Sequence, residues 1–598
     1  MESDQEHFPG LKILNMTTSL VSADSLLTID IGPTTTRALL FDVVDGRYQF
    51  LAAGSAVTTA GAPYFNVGEG VRQALDHLQE ISGRLLLRND ESIIIPSATD
   101  GSGVDAVAAT ISAGPPLRVM AIGLLEDVSL ESARRLAETT YAEVVETLSL
   151  NDRRKQDERL DLILRTRPDL VIAAGGTENG ADQSIKRLLE TVGLACSLLP
   201  QEMRPQVLYA GNKVVRGDIR SVLEGVTPVY FAPNIRPNLE IEQLDPAQSQ
   251  LAQIYRQISK QKIAGVQEID RWAKGMLMPT ATAFGRMIRF LSTLYDPAKG
   301  VLGFEISGSA ATIASGFSGK LNLGVYPDLG LGVGLPGIIK HTKVGKIARW
   351  LSVDLNENDV LDYIYQKAAQ PASIPTTVEE MALEQALIRE IMRISMKLAA
   401  SGFPEKIREQ NPGVLPWFEP ILARGMAFQR SGSPGKILMA LLDGIQPTGV
   451  TTVLLDQSNL AASLGAAAAI NPTLVVQVIE ANMLNLAAVI SPVGNTRPGT
   501  PILRLQATFE DGNETKLEIK YGTLEVLPVP LGQTVTLRLQ PLHRFDIGMG
   551  GPGRGGRLRM VGGVLGLIID ARGRPITLHS DASRRRELLN KWSWTLGN

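Results

Sequence analysis

The stretch that decides the fold is Leu26 to Val44, LLTIDIGPTTTRALLFDVV. It opens as an apolar strand, Leu26-Leu27-Thr28-Ile29, and reaches an acid at Asp30. A tight turn at Gly32-Pro33 follows, then three hydroxyls, Thr34, Thr35 and Thr36. Arg37 to Val44 returns as a second strand. This layout suits phosphate chemistry. A glycine turn lets the main chain come close to phosphate oxygens. Hydroxyls and N–H groups then donate to them. A carboxylate at the end of a buried strand holds a metal ion or orients a water beside the phosphates. The Walker pattern G-x-x-x-x-G-K-[ST] is absent and no helix follows the turn, which excludes a P-loop. The plain alternative is an ordinary β-hairpin with a threonine-rich turn.

At 598 residues the chain is longer than one core usually organises, so about three or four domains are expected. A hydrophobic fraction of 44% and a charged fraction of 20% are ordinary for a globular protein. A net charge of −3 gives no strong pull toward nucleic acid or membrane. The single cysteine, Cys196, excludes an internal disulfide or a cysteine metal cluster, and reads as a small buried hydrophobe. His7, His77, His341, His543 and His579 show no i, i+4 pairing, which argues against a histidine metal site. The first residues, MESDQEHFPGLK, are acidic and polar, unlike a secretory signal. No apolar run approaches the ~20 residues needed to cross a bilayer. A cytoplasmic protein is expected.

Outward from the hairpin, Val67 to Arg84 has helical spacing at Val71, Leu75 and Leu78. Ile93-Ile94-Ile95 reads as a buried strand. Leu117 to Leu124 reads as another, followed by a helix from Asp127 to Ala137 with Ser129 as N-cap. Leu170 to Ala174 is a buried strand that ends in Gly175-Gly176-Thr177-Glu178-Asn179-Gly180 and a helix from about Gln183. Such a turn points helix N–H groups at a ligand, or serves packing alone. Alternating strands and helices predict a largely parallel α/β sheet. Leu251 to Ala264, Thr280 to Leu294, Thr377 to Ala400 and Pro434 to Gly444 read as helices. Gly303 to Ala314 repeats the strand, glycine turn, strand layout, again led by an acid, Glu305. From about residue 498 apolar and polar residues alternate, predicting a β-rich C-terminal module.

Two acid-led hairpins in successive α/β halves resemble the actin, hexokinase and Hsp70 ATPase superfamily, whose D-x-G-x-T-x-T hairpin is matched by Asp30, Gly32, Thr34 and Thr36. More specifically, the chain resembles the MutL/GlmL-type accessory proteins of cobalamin-dependent glutamate mutase. That resemblance rests on the first hairpin, Met120 to Leu124 with its SLESARR helix, Ala173 to Thr177, Tyr209 to Asn212 and LLDGIQPTGV at 441–450. It implies a two-lobed actin-like (ribonuclease H-like) α/β core with an added β-rich module. The expected division is a flexible leader at 1–24, a first lobe with an α/β insertion at 25–265, a second lobe at 266–490 and a basic β-rich module at 491–598. It also implies ATP and Mg2+ as cofactors, with ATPase activity left open and weak if present, and a client enzyme such as a cobalamin-dependent mutase that ATP helps to remodel. Asp30 and Glu305 would be the catalytic acids, with Asp30 also holding the metal. Gly32, Thr34, Thr35, Thr36, Ser307, Gly308, Ser309 and Gly425 would line the nucleotide.

The chain departs from that pattern at several positions. Pro33 has no N–H to give a phosphate. The family's second loop, D-V-G-G-A-T-T, is here Glu305-Ile306-Ser307-Gly308-Ser309-Ala310-Ala311-Thr312. The acid is one methylene longer and the first glycine is a serine; a shift of ~1 Å in a catalytic group costs ~100-fold in rate. The adenosine-side turn reads Ala423-Arg424-Gly425-Met426, in which Arg424 and Met426 would crowd the base pocket. Binding without efficient hydrolysis and loss of binding both stay open, as does a non-hydrolysing scaffold on the same fold. A small-molecule kinase is a lesser alternative, with Glu305 as its one candidate base.

Three further features have two readings each. GMGGPGRGG at 548–556, within a tail carrying Arg544, Arg554, Arg557, Arg559, Arg572, Arg574 and Arg584 to Arg586, reads as a surface loop. A nucleic-acid contact is disfavoured because no aromatics interleave the basic residues. Asp456 either faces the cleft or caps a helix at Ser458. The glycine-rich 321–337 segment is either a mobile flap or a static run of turns.

Overall fold

The computed structural model describes residues 25–178, 180, 183–405 and 415–597, and for position 480 the backbone alone. The leader expected at 1–24 and Asn179 lie outside the described residues.

The opening stretch forms β1 (Leu26–Ile31) and β2 (Thr35–Val44), continued by β3 (Arg47–Val57) in an antiparallel meander. All six residues of β1 are buried, which explains its continuous apolar run. β4 (Ala106–Ile111) lies parallel to β1 on its other side. The chain then builds a separate, wholly parallel sheet from β5 (Leu117–Gly123), β6 (Ala142–Leu148), β7 (Leu170–Ala174), β8 (Gln206–Tyr209) and β9 (Val229–Phe231), in the order β6-β5-β7-β8-β9. It returns through β10 (Met278–Pro279), which pairs with β4 and completes a first sheet ordered β10-β4-β1-β2-β3.

The second half repeats this plan. β11 (Gly300–Ile306), β12 (Ala311–Phe317) and β13 (Lys320–Tyr326) form an antiparallel meander, and β14 (Phe418–Arg424) lies parallel to β11. β15 (Gly449–Leu455) and β16 (Leu484–Ser491) extend that sheet. In both sheets a three-stranded meander is followed by a parallel strand beside its first member, the ribonuclease H-like arrangement of an actin-like core. Two helices, Thr280–Leu294 and Leu460–Ala467, join the halves. They cross so closely that Gly465 has no room for a Cβ against the Ala283 backbone. The second packs on β1 and β4, the first on β11, β12 and β13.

The last segment forms β17 (Pro501–Phe509), β18 (Glu514–Lys520), β19 (Leu524–Leu527), β20 (Thr534–Pro541), β21 (Gly556–Val561) and β22 (Leu567–Asp570). Four of these make their own sheet, β18-β17-β20-β21. β22 and β19 instead continue the second sheet beyond β16. Among the described residues no helix is long and apolar enough to cross a membrane.

Several local readings are corrected. Ile93 makes one bridge to Leu87 and belongs to no ladder, because the segment turns at both ends. Ser129 does not begin a helix. It lies inside a wide turn at Glu126–Leu130, where its Oγ accepts from Leu124 N and Leu125 N. The glycine-rich segment is β13 followed by packed turns, with Leu329, Leu331 and Leu335 buried. Arg572 and Arg574 are interior rather than part of a surface loop.

Candidate functional site

Asp30 is next to last in β1 and Glu305 next to last in β11, so the repeated plan brings both acids to the same cleft between the halves. The turns beyond them face each other. A Cβ added at Gly308 would stand 3.3 Å from Pro33 Cγ and from Thr34 Cγ2, so the hairpins already touch. Gly32 is required by its own turn: its N–H donates to Thr35 O at 3.1 Å, and a Cβ there would meet that oxygen at 2.6 Å. Ser307 N closes the second turn on Ala310 O at 3.0 Å. Neither of these N–H groups is free for a ligand.

Both acids are buried, Asp30 at 3% and Glu305 at 5% exposure. Asp30 Oδ1 accepts from Thr110 Oγ1 at 2.7 Å and Thr280 Oγ1 at 3.1 Å. Between the acids lies Arg424, 2% exposed, with Nη2 3.7 Å from Asp30 Oδ2 and 3.6 Å from Glu305 Oε1. These are charge contacts, too long for good hydrogen bonds. The guanidinium also stacks over Phe284, 5.4 Å from the ring centroid. Its Nε and Nη1 have no hydrogen-bond partner, nor has Glu305 Oε2. Arg424 therefore floors the cleft instead of crowding a base pocket. Met426 reaches the first hairpin, where Thr34 Oγ1 contacts its sulfur at 3.5 Å. Arg37 Nη2 donates to Gln429 Oε1 at 3.0 Å across the mouth. The remaining cavity is about 50 Å3. That is room for several waters or one phosphate-sized group, and too little for a nucleoside.

Residues 26–483 match the family model described as MutL protein, well over half of the chain. The chain belongs to the MutL protein family. It is 23% identical over 396 residues to Protein MutL of Clostridium tetanomorphum, covering 62% of this chain and 78% of that one. Among solved structures it is similar to diol dehydratase-reactivating factor in nucleotide-free form, with 8% identity, 75% of this chain and 99% of that one covered, and a TM-score of 0.29. It is also similar to component A of Acidaminococcus fermentans (R)-2-hydroxyglutaryl-CoA dehydratase, with 8% identity, coverage of 74% and 96%, and a TM-score of 0.24. Scores this low carry no argument. The actin-like fold of this MutL-family chain rests on its two repeated sheets.

Of the residues expected at the site, Asp30, Gly32, Thr34, Thr35, Glu305, Ser307, Gly308 and Gly425 line the cleft. Thr36 is buried against Thr58, with the two hydroxyls 2.9 Å apart, and Ser309 Oγ pairs with Ser307 Oγ at 3.0 Å; neither lines it. Asp456 caps the Leu460–Ala467 helix, accepting from Leu460 N and Ala461 N at 2.8 Å each. Burial pushes its carboxyl up, against the pull of Arg424 and those N–H groups. Burial likewise raises Glu305, with Arg424 opposing and Asp30 adding to the rise. Sequence reasoning missed Arg37, Ser112, Gln429, Arg430 and Asn459, which also line the cleft. Arg37 carried a usable signal, since β2 pairing places it opposite Asp30.

Mg2+ does not fit this donor set. A hard dication needs free carboxylate oxygens. Here Asp30 spends Oδ1 on two hydroxyls, its Oδ2 and Glu305 Oε1 share one guanidinium, and Glu305 Oε2, though unpartnered, is shut off from solvent. Among the described residues no group of three or more His, Cys, Asp or Glu is placed to hold a metal ion.

Proposed function

We propose that this chain is an accessory protein of a partner enzyme, of the kind that reactivates cobalamin-dependent glutamate mutase, and that its cleft receives the phosphate end of a nucleotide. Membership of the MutL family supports the accessory role. The observation that carries the ligand class is the pair of acid-led hairpins meeting over one polar cleft, with Arg37, Arg424 and Arg430 among its lining residues. The cleft leaves about 50 Å3, so a whole nucleotide fits only if the halves part. Opening and closing around nucleotide is the motion that would be transmitted to a client.

Calorimetric titration with ATP and ADP tests the ligand. Co-purification with a cobalamin-loaded mutase, with and without nucleotide, tests the role. Absence of both nucleotide binding and a nucleotide-dependent complex would sink the reading.

A second reading is favoured by Arg424: a binding protein without turnover, in which the acids neutralise a cation instead of handling water. ATP hydrolysis that disappears in Asp30→Ala would rule this out.

A further inference from the structure

The cation between the two acids belongs to the protein. We propose that the Arg424 guanidinium is a built-in counter-ion, standing where the two cleft acids would otherwise share a divalent metal, so that the cleft takes a phosphoryl anion without any metal. The inference rests on the reading of the cleft as a phosphate site.

Three observations carry it. One Nη2 approaches both acids at nearly the same distance, 3.7 and 3.6 Å, as a bridging ion would. The guanidinium is held there from several sides, by β14 pairing with β11, by the Phe284 ring and by the required glycine that follows it. Gly425 has φ +101°, and a Cβ would meet Ile306 O at 2.5 Å. Finally, Nε and Nη1 are buried donors without partners in a residue that lines the cleft. An unmet buried donor is costly, and a charged one more so. An oxyanion beside Thr34, Thr35, Ser307 and Gly308 would reach them only as the cleft opens, and would then give them charge-assisted hydrogen bonds. The cavity of about 50 Å3 admits one such group.

An arginine also fixes the chemistry. It stays protonated across the physiological range, so the counter-charge cannot be removed by chelation or by pH. It does not lower the pKa of a water as a bound metal does. The arrangement suits capture and release of a phosphoryl group more than its hydrolysis.

Titration calorimetry of the full chain with ATP, ADP and inorganic phosphate, each in EDTA and in excess Mg2+, tests the proposal. The expected result is equal affinity in the two buffers. Tighter binding of the nucleotides would assign the site to a terminal phosphate, and equal binding of inorganic phosphate to the free anion. Arg424→Met, checked for folding by circular dichroism, should weaken binding in EDTA by about tenfold or more, the scale of a lost charged hydrogen bond. Wild-type binding that requires Mg2+ overturns the inference and leaves the nucleotide reading standing. No binding of any probe in either buffer overturns both.

Discussion

Thr110 and Arg424 occupy equivalent places in the two halves. Thr110 lies beside Asp30 across the β1–β4 pairing, and Arg424 beside Glu305 across the β11–β14 pairing. Each aims a donor at the acid it accompanies, a hydroxyl at 2.7 Å in the first half and a guanidinium at 3.6 Å in the second. The repeat thus keeps its geometry while the residue beside the acid changes its chemistry. The longer side chain then reaches over to the other half's acid.

Arg424→Met should therefore lower stability by roughly 3–5 kcal/mol, the usual effect of leaving buried charges without their partner. Adding Glu305→Gln to that variant should restore part of the loss, because the amide needs no counter-charge. Denaturant titration of both variants measures this. Equal stability of Arg424→Met and wild type would mean that the guanidinium neutralises neither acid.

The first hairpin was legible because an apolar run, an acid and a glycine follow one another within seven residues, and local pairing does the rest. The helices Thr280–Leu294 and Pro434–Gly444 were legible to the residue. The destination of Arg424 was not. It depends on which strand lies beside β14, and that partner is more than a hundred residues away. The same reason hid Arg572 and Arg574. In a glycine-rich tail they read as solvated, whereas Asp443, the partner of Arg572, comes from a distant helix.

Cys196 is fully buried on the Gln183–Leu198 helix, and burial pushes its thiol up to about 11. The thiolate is the reactive form, so the native chain should resist thiol reagents at pH 8. Denaturant should release one titratable thiol per chain. Rapid labelling of folded protein would contradict the packing around this helix.

Glu138 is half-buried, and burial together with nearby Glu131 raises its carboxyl to about 7, against Arg134 and Arg135. A carboxyl raised in the folded state binds its proton more tightly there than when unfolded. Its stabilising contribution is full below about 4.5 and is lost as pH rises from 4.5 to about 7. The full shift would correspond to roughly 3 kcal/mol, which partial solvent access reduces to about 1 kcal/mol. Glu138→Gln should thus melt higher than wild type at pH 8 and similarly at pH 4. Melting curves at the two pH values decide it; no pH-dependent difference would mean that water reaches this carboxylate freely.

The tail is fastened to the second half by a buried ion network. Arg572 donates to Asp570 through Nε at 2.8 Å and Nη2 at 2.9 Å, and to Asp443 through Nη1 at 2.7 Å. Arg574 Nη2 adds a bond to Asp570 at 2.8 Å, and Arg389 Nε one to Asp443 at 2.7 Å. The two arginines beside it, Arg572 and Arg574, hold the Asp570 carboxyl well below the ordinary carboxylate range. A depressed carboxyl contributes stability above its unfolded value that fades as pH falls below it, here below about 4. Asp570→Asn should lose roughly 3–5 kcal/mol at neutral pH, since Arg572 and Arg574 keep their charge in the interior. Its stability should then fall less steeply than that of wild type on acidification, because the titrating group is gone. Parallel acid slopes for the two proteins would show that Asp570 does not drive acid unfolding. Because β22 also pairs with β16, the same substitution should loosen the edge of the second sheet, read as faster amide exchange at Ile568 and Ile569.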